Sequence, residues 1–449
     1  MGDGRVSLAL FGGERTVKRT GEVAFRWPVV TEEMEEAVLD VLRRGAASGL
    51  EITRSFEEEY AAWIGRVYGL AHNNGTAAVH AALFGLGIGR GDEIICPSMT
   101  YWASCTPVFS LGGSVSFADI APDTLCIDPA DIERHVNERT KAIVVVHYSG
   151  MPADMDSIME IARRRGLKVI EDCSHSHGSL YKGKLTGSFG DAAVFSLMSA
   201  KSFPIGEGGI MLTDDRQVYE RAVAFGHYAR HAGDLTIPEI VEGGGIPWGG
   251  YKYRLNQFSS AIGRLQLKLY PDQMREIDRA MNTFWDLLEG VPGIKAHRPA
   301  PGSGSTKGGW YFPLGLYESD RLGGLSTSRF CEAVRAEGVE GCTPGCNLAL
   351  HLHPLFNTID VYGDGKPTRL RFLPEGTDIR QPAGSLPVSE GIQSRVVKVP
   401  WFKHFDEELI GQYAAAFRKV AEHASELIEG DEGNPETMGG WGTSTPKRG

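Results

Sequence analysis

The chain has 449 residues, 42% of them apolar and 23% charged, with 46 Lys and Arg against 57 Asp and Glu for a net charge of −11. That length suits two or three structural units of roughly 100–200 residues each, and the composition excludes a chain disordered throughout. The acidic balance argues against nucleic acid as a partner, and no window reaches the roughly 18 apolar residues of a membrane helix. Met1 to Arg5 show no basic segment leading into an apolar one, so no secretory signal is expected. Seven cysteines stand singly at 96, 105, 126, 173, 331, 342 and 346. That scatter fits reduced thiols in a cytoplasm, not a disulfide framework.

Residues 1–30 read as an N-terminal arm. Thr31 to Arg44 predicts a helix, with Met34, Val38, Val41 and Leu42 at helical spacing and Gly45 as a stop. Ser55 to Tyr68 predicts a second, opened by a Ser55/Glu58 capping box, with Phe56, Tyr60, Trp63, Ile64 and Val67 as its buried stripe. From about residue 70 to 215, short apolar runs alternate with helical segments. Strands are predicted at Glu93–Cys96, Ser114–Phe117, Ala142–Val146, Leu167–Ile170, Ala192–Leu197 and Gly209–Leu212. Helices are predicted at Thr76–Leu86, Ala103–Leu111 and Asp154–Arg165. This alternation predicts an α/β fold with a mostly parallel sheet covered on both faces, and a site beyond the carboxyl ends of its strands.

Residues 226–250, rich in Gly, His and Pro, read as a long functional loop. A long helix with kinks is expected from Asn256 to Leu288, closing a large domain over 31–288. A smaller α/β domain follows over 289–428, with helices at Ser326–Glu337 and Asp406–Leu427. Between these helices, Leu350 to Leu386 reads as an extended loop or clamp. Glu429 to Gly449, polar and rich in Gly, Thr and Pro, reads as a disordered tail.

Four features fall at predicted strand ends. Asn74-Gly75-Thr76 precedes a helix, where backbone amides and a hydroxyl meet an anion; the alternative is a glycine turn with a threonine cap. Asp172 could hold a cofactor's protonated ring nitrogen, or merely cap the next turn. His175 and His177, a spacing repeated at His351 and His353, raise a metal site, but no Asp or Glu stands at a zinc-site spacing. Ser196 and Lys201, followed by Gly206-Glu207-Gly208-Gly209, offer a hydroxyl for phosphate and an amine nucleophile, unless the lysine lies on a surface loop. Burial among apolar neighbours lowers a lysine's pKa and frees the neutral amine. Tyr101 or Trp102 could stack on a flat ring. Together these are the elements needed to hold pyridoxal phosphate (PLP).

The sequence resembles the DegT/StrS family of PLP-dependent sugar aminotransferases over roughly residues 8–425. The resemblance rests on LALFGGERT, FEEEYAAWIG, NGTAAVHAAL, DEIICPSMTYWAS, HYSGMPADMD, EDCSHSHGSLYKGK, GSFGDAAVFSLMSAKSFPIGEGGIMLT and YKYRLNQFSSAIGRLQL. It implies a fold-type I transferase with a smaller C-terminal domain, in which Lys201 forms the Schiff base and shuttles the proton. Asp172 would pair with the pyridine nitrogen and His175 would lie near the ring. Gly75, Thr76 and Ser196 would bind phosphate, and Tyr101, rather than Trp102, would stack. Lys252, in Gly250-Tyr251-Lys252-Tyr253-Arg254, stands where many members have Asn and would reach the phosphate of a neighbouring subunit. The segment 350–386 is longer than the family's usual link and is expected either to shape substrate choice or to pack on a partner subunit.

The implied reaction moves an amino group from glutamate or glutamine, through pyridoxamine phosphate, to a keto sugar or keto-cyclitol in a biosynthetic pathway, antibiotic pathways included. The implied enzyme is a cytoplasmic homodimer with no resident metal. The alternative is a PLP enzyme doing dehydration or other carbanion chemistry, although the family's sugar 3-dehydratases replace the lysine with histidine and Lys201 is present here. More distant readings are a metal hydrolase built on His175 and His177, and a cofactor-free scaffold.

Overall fold

The computed structural model describes residues 7–227, 235–243, 246–436 and 438–441. Its centre is a seven-stranded sheet made of β1 (Tyr68–His72), β2 (Glu93–Pro97), β3 (Ser114–Ala118), β4 (Thr140–Val146), β5 (Lys168–Asp172), β6 (Ala192–Ser196) and β7 (Gly209–Thr213). The spatial order is β1-β7-β6-β5-β4-β2-β3, parallel from β6 through β3, with β7 antiparallel to both β6 and β1. β2, β3 and β7 are buried at every residue, and the others nearly so. Helices cover both faces, so these strands read as continuous apolar runs without alternation.

The predicted strands all form, shifted by a residue or two. The first helix forms as α1 (Glu32–Arg43), capped by Thr31. The second departs from expectation. α2 (Glu51–Ile64) starts four residues before Ser55, whose hydroxyl bonds back to the Glu51 carbonyl inside the helix. The Ser55/Glu58 pattern is therefore no cap. Gly65, at φ 86°, ends the helix, Val67 is 65% exposed, and Tyr68 already belongs to β1. The expected helix over Ala103–Leu111 is instead two 3₁₀ segments, Trp102–Ser104 and Thr106–Leu111, interrupted at Cys105. Pro107, which has no N–H to donate, sits in the first turn of the second.

α3 (Gly75–Gly85) follows β1, and α4 (Met155–Arg165) follows β4. Residues 228–234 and 244–245 of the expected long loop lie outside the described residues, and Pro238–Glu242 within it is a helical turn. α5 (Gln257–Leu287) runs 31 residues through Pro271. Its first half packs on α2, while Ile277, Ala280, Met281, Phe284 and Trp285 enter a separate core with the C-terminal segments. That core is built on an antiparallel sheet of β8 (Ile294–Ala296), β9 (Leu314–Tyr317), β10 (Thr343–Pro344) and β11 (Val396–Lys398), ordered β8-β9-β11-β10. It is covered by α6 (Thr327–Ala336) and α7 (Glu407–Glu422). The N-terminal arm joins the same core through Leu8, Val17 and Ala24. The buried Glu337 carboxylate pins the arm by accepting from the Ala9 and Thr16 amides and the Lys419 ammonium.

One loop gains a structural role, and the expectation for the tail needs correction. Within the chain, residues 350–386 cover the open edge of the sheet at β3. The Gln381 amide pairs with both Phe117 N–H (3.0 Å) and C=O (2.6 Å), and Arg369 Nε donates to the Val115 carbonyl at 2.7 Å. Polar side chains here do what another strand would do, satisfying the edge and blocking its extension. The tail is also not disordered over its described part. Asp431 accepts from the Ser326 amide (2.7 Å) and hydroxyl (2.6 Å) at the start of α6, where a carboxylate is favoured. Asn434 bonds Thr327, Met438 is buried, and Gly440 accepts from Leu348. Residues 442–449 lie outside the described residues.

Candidate active site

β5 and β6 are parallel, with Asp172 opposite Val194, and β4 is parallel to β5, with Val146 opposite Asp172. Their carboxyl ends therefore open on one edge, together with the turn from β1 into α3. A cavity of about 450 Å³ lies there. Its lining includes Gly75, Thr76, Tyr101, Asp172, His175, Ser196 and Lys201, seven of the eight residues selected from sequence. The eighth, Lys252, does not line it and is exposed. Its neighbour Tyr253 runs beside β1, accepting from the Asn73 amide at 2.8 Å.

The cradle is set by glycine. Asn74 caps α3 by accepting from Ala77 N–H at 2.8 Å, which leaves the Gly75 and Thr76 amides without a carbonyl inside the helix. A Cβ on Gly75 would meet Ser196 Cβ at 2.8 Å, and a Cβ on Gly209 would meet the Asn74 carbonyl at 2.4 Å. Both glycines let β6 and β7 approach the helix start and keep a small pocket rimmed by N–H groups and the Thr76 and Ser196 hydroxyls, a chemistry suited to a phosphate.

Asp172 is buried, and its carboxylate is fixed from two sides. Ser104 Oγ donates to one oxygen at 2.7 Å and Ser174 N–H to the other at 3.0 Å. Ser174 in turn accepts from the Ser196 amide at 3.0 Å, linking the carboxylate to the phosphate side of the cavity. Lys201 is also buried, and its carbonyl accepts from Trp27 Nε1 of the arm at 2.9 Å. Burial, opposed by the Asp172 charge, brings its amine down to about 8. The ammonium lies 4.2 Å from the centre of the Tyr311 ring, a cation–π contact that does not neutralise it.

His175 is held neutral: burial first, and then the Lys201 charge, keep it well below the usual histidine range. Ser149 N–H donates to its Nδ1 at 3.3 Å, which leaves the proton on Nε2. Ser149 itself sits in the left-handed region at φ 56°, and the buried Lys307 ammonium donates to its hydroxyl at 3.2 Å. Tyr101, 37% exposed, borders the cavity, whereas Trp102 turns toward Thr106 and Tyr253.

His177 is separated from this group. It is buried against Phe195 and Phe203 with Ser202 Oγ at 3.3 Å, and burial brings it down to about 3. His351 lies elsewhere, between Ser98 and Glu390. The two His-x-His pairs therefore do not converge. Among the described residues one cluster has metal-ligating atoms in reach of one another, His147, Glu171 and Cys173. There Glu171 accepts from the Gly187, Phe189 and Gly190 amides, and burial pushes the Cys173 thiol up, so the cluster reads as a structural brace.

Tyr311 and Asn347 line the cavity without having been singled out in the sequence. Tyr311 lies between Trp310 (φ 52°) and Phe312 (φ 56°), two bulky residues in a region that costs them strain. Trp310 Nε1 is anchored on Asp278 at 2.7 Å and the Phe312 carbonyl on Ser149 at 2.7 Å, which holds the Tyr311 ring over Lys201. No motif in one sequence marks such a residue; only the two strained neighbours do.

The sequence model of the DegT/DnrJ/EryC1/StrS aminotransferase family matches residues 28–418. The chain belongs to this family. It is 34% identical over 345 residues to L-glutamine:scyllo-inosose aminotransferase of Streptomyces griseus, covering 74% of this chain and 79% of that protein. It is 31% identical over 415 residues to L-glutamine:2-deoxy-scyllo-inosose aminotransferase of Micromonospora echinospora, covering 89% of this chain and 95% of the relative. A solved aminotransferase from Psychrobacter cryohalolentis superposes with a TM-score of 0.76 at 29% identity, covering 89% of this chain and 99% of the other. This aminotransferase is thus an α/β enzyme of the PLP-dependent class, and its cofactor is PLP.

The residues of the cavity fit that cofactor. A cradle closed to any side chain larger than glycine, a buried carboxylate and a buried amine without a salt-bridge partner among the described residues supply what its phosphate, ring nitrogen and aldehyde require. Replacing Gly75 with Ala puts a methyl group between the helix start and Ser196, at the cradle. We expect Gly75→Ala to lower stability, because the methyl group pushes the helix start away from Ser196, and in its folded fraction to hold PLP at least about tenfold more weakly, measured by following visible absorbance as PLP is titrated into apoprotein with folding checked by thermal melts. The lowered pKa of Lys201 gives a second test, because only the neutral amine is a nucleophile. The rate of PLP uptake by apoprotein should rise roughly tenfold per pH unit below about 8 and level off above it. A rise that continues to the ordinary lysine value of about 10.4 would contradict the assignment.

Proposed function

We propose that this enzyme transfers an amino group from glutamine or glutamate to a keto sugar or keto-cyclitol in a biosynthetic pathway. The observation that carries the proposal is the meeting of Lys201, Asp172 and the Gly75–Thr76 cradle in one cavity of a chain whose relatives are named as L-glutamine-dependent cyclitol aminotransferases.

PLP, when bound, supplies an aldehyde that links to amines and a ring that spreads negative charge. The protein's part follows from its own groups. The Gly75 and Thr76 amides, with the Thr76 and Ser196 hydroxyls, bind the phosphate at the positive end of α3. Asp172, its two oxygens fixed by Ser104 and Ser174, keeps a proton on the ring nitrogen through a charge-assisted hydrogen bond. Tyr101, at the border of the cavity, would lie against the ring. His175, neutral and protonated on Nε2, donates toward the ring's oxygen substituent instead of adding a second cation beside Lys201. Lys201 Nζ would take the proton from the amino donor's α-carbon and hold it for return, a role for which a pKa of about 8 is matched. Tyr311 covers the amine and limits water. Lys252 completes the phosphate site of a second protomer, which makes the working unit a homodimer.

The donor half is tested by adding glutamine or glutamate to holoenzyme. The visible absorbance should be lost and a 2-oxo acid released, and Lys201→Ala should show neither the absorbance nor turnover. An absorbance that neither donor changes would favour the non-transaminating PLP reading. The shared site has its own test. Lys201→Ala and Lys252→Ala are each expected to be nearly inactive, and mixing the two as subunits should restore about a quarter of the wild-type sites, because half the dimers are mixed and each mixed dimer carries one intact site. No recovery in demonstrably mixed dimers would place Lys252 outside the neighbour's site.

A further inference from the structure

Lys307 is a buried cation that the mechanism above does not use. Its ammonium has three N–H donors and meets three acceptors: Ser149 Oγ at 3.2 Å, His297 Nδ1 at 3.1 Å and the His297 carbonyl at 3.0 Å. His297 can accept because its Nε2 donates to the Thr124 carbonyl at 2.9 Å, and burial, with the Lys307 charge, keeps its ring neutral. No carboxylate among the described residues pairs with the ammonium, which lies 4.9 Å from the centre of the Trp310 ring. Burial brings the amine down to about 7, so a lysine is a costly choice here.

The backbone around it is strained as well. Among the described residues five other than glycine have φ in the left-handed region: Leu125, Ser149, Lys182, Trp310 and Phe312. All but Lys182 adjoin this network. Leu125 lies between Thr124 and Cys126, whose thiol the Lys307 charge reaches. The Trp310 amide donates to the Lys307 carbonyl at 3.1 Å, and Ser149 Oγ donates to the Phe312 carbonyl at 2.7 Å. Gly150, at φ 78°, lets the segments cross, since a Cβ there would meet the Lys307 carbonyl at 2.9 Å and the His175 carbonyl at 3.2 Å. Strain of this kind persists only where the surroundings fix it, and it gathers at functional sites. Ser149 is where the network reaches the cavity: its N–H donates to His175 Nδ1, and its hydroxyl holds the turn that carries Tyr311.

We infer that Lys307 is a positioning residue for amino transfer, which clamps Ser149 in its left-handed conformation and so fixes the His175 tautomer and holds Tyr311 over Lys201. This rests on the aminotransferase reading above and adds to it a residue that does not line the Lys201 cavity and acts through Ser149. Lysine suits the task because one nitrogen donates in three directions at once, where an amide side chain would donate in two. Its fixed charge also adds to the burial that keeps His175 neutral.

The test is nuclear magnetic resonance of the full chain with isotope-labelled histidine at neutral pH, in holoenzyme and after PLP is removed. The His175 and His177 signals are assigned by their loss in His175→Gln and His177→Gln. In wild type, His175 should be one neutral form with its proton on Nε2 in both states. Lys307→Met removes the ammonium, and Ser149→Gly removes the hydroxyl at a position where glycine adopts φ 56° without strain. In each variant His175 should no longer hold this single form once PLP is removed, while His177, packed on Phe195 and Phe203, keeps its wild-type signals. In holoenzyme, the loss of visible absorbance on adding glutamine or glutamate should slow at least about tenfold in each variant. The double variant should be no slower than the slower single one, because both changes cut the same link. A change in His175 and His177 alike would mark a general loosening of the core and overturn the inference. So would additive losses in the double variant, or a folded variant whose His175 keeps its wild-type form. If thermal melts show Lys307→Met unfolded, Ser149→Gly decides alone. The wild-type response to glutamine or glutamate is read separately. Its failure would remove the aminotransferase reading, whereas an intact response with an unchanged His175 in the variants would remove this inference alone.

Discussion

Everything at this site depends on taking the Lys201 amine out of water without giving it a full counter-charge. A lysine in solvent stays protonated at neutral pH and cannot attack an aldehyde. Here Tyr311 closes over it, the arm reaches its backbone through Trp27, and Asp172 lies near enough to moderate the desolvation without cancelling it. The Asp172 side chain is in turn buried, and Ser104 and Ser174 supply hydrogen bonds that replace its contacts with water. The same economy explains His175. A third cation beside Lys201 and Lys307 would be repelled, so the imidazole is neutral and its tautomer is fixed by Ser149.

The sheet exists to bring these groups to one edge. Parallel register among β4, β5 and β6 puts Val146, Asp172 and Ser196 at the same end, and the antiparallel β7 lets β1 and α3 close the phosphate side. The second core braces this arrangement. α5 belongs to both cores, and the arm threads from the second core back to Lys201. Segments remote from the chemistry complete the sheet, with Gln381 and Arg369 standing in for an eighth strand at β3. Lys398, at the end of β11, and Lys403 line a cleft that shares Tyr311 and Phe312 with the Lys201 cavity.

Buried strands and the residues just after them were legible along the chain, because an apolar run followed by a glycine, a hydroxyl or a charge records a strand end in a parallel sheet. Asp172, Ser196, Lys201 and the Gly75–Thr76 turn were found in this way. The early helix boundaries were misread where a local pattern competed with a distant one: the Ser55/Glu58 pair imitates a cap, but α2 is extended upstream where Ile52 N–H meets Gln257 at 2.6 Å, a contact 205 residues away. The tail reads as disordered by composition, yet Asp431 and Asn434 cap α6.

By itself the sequence determined the α/β class, the family and the identity of the groups that would handle a cofactor, since these depend on local order: a strand, then a residue type at its end. Tertiary structure alone decided which histidine enters the cavity, His175 and not His177. It also decided that Tyr311 covers Lys201, that residues 350–386 cover a sheet edge, and that Lys398 and Lys403 share a cleft. Each of these is a contact between segments far apart in the chain or a choice between adjacent side chains. Burial and charge, which settle such choices, belong to the packed protein and not to any window of its sequence.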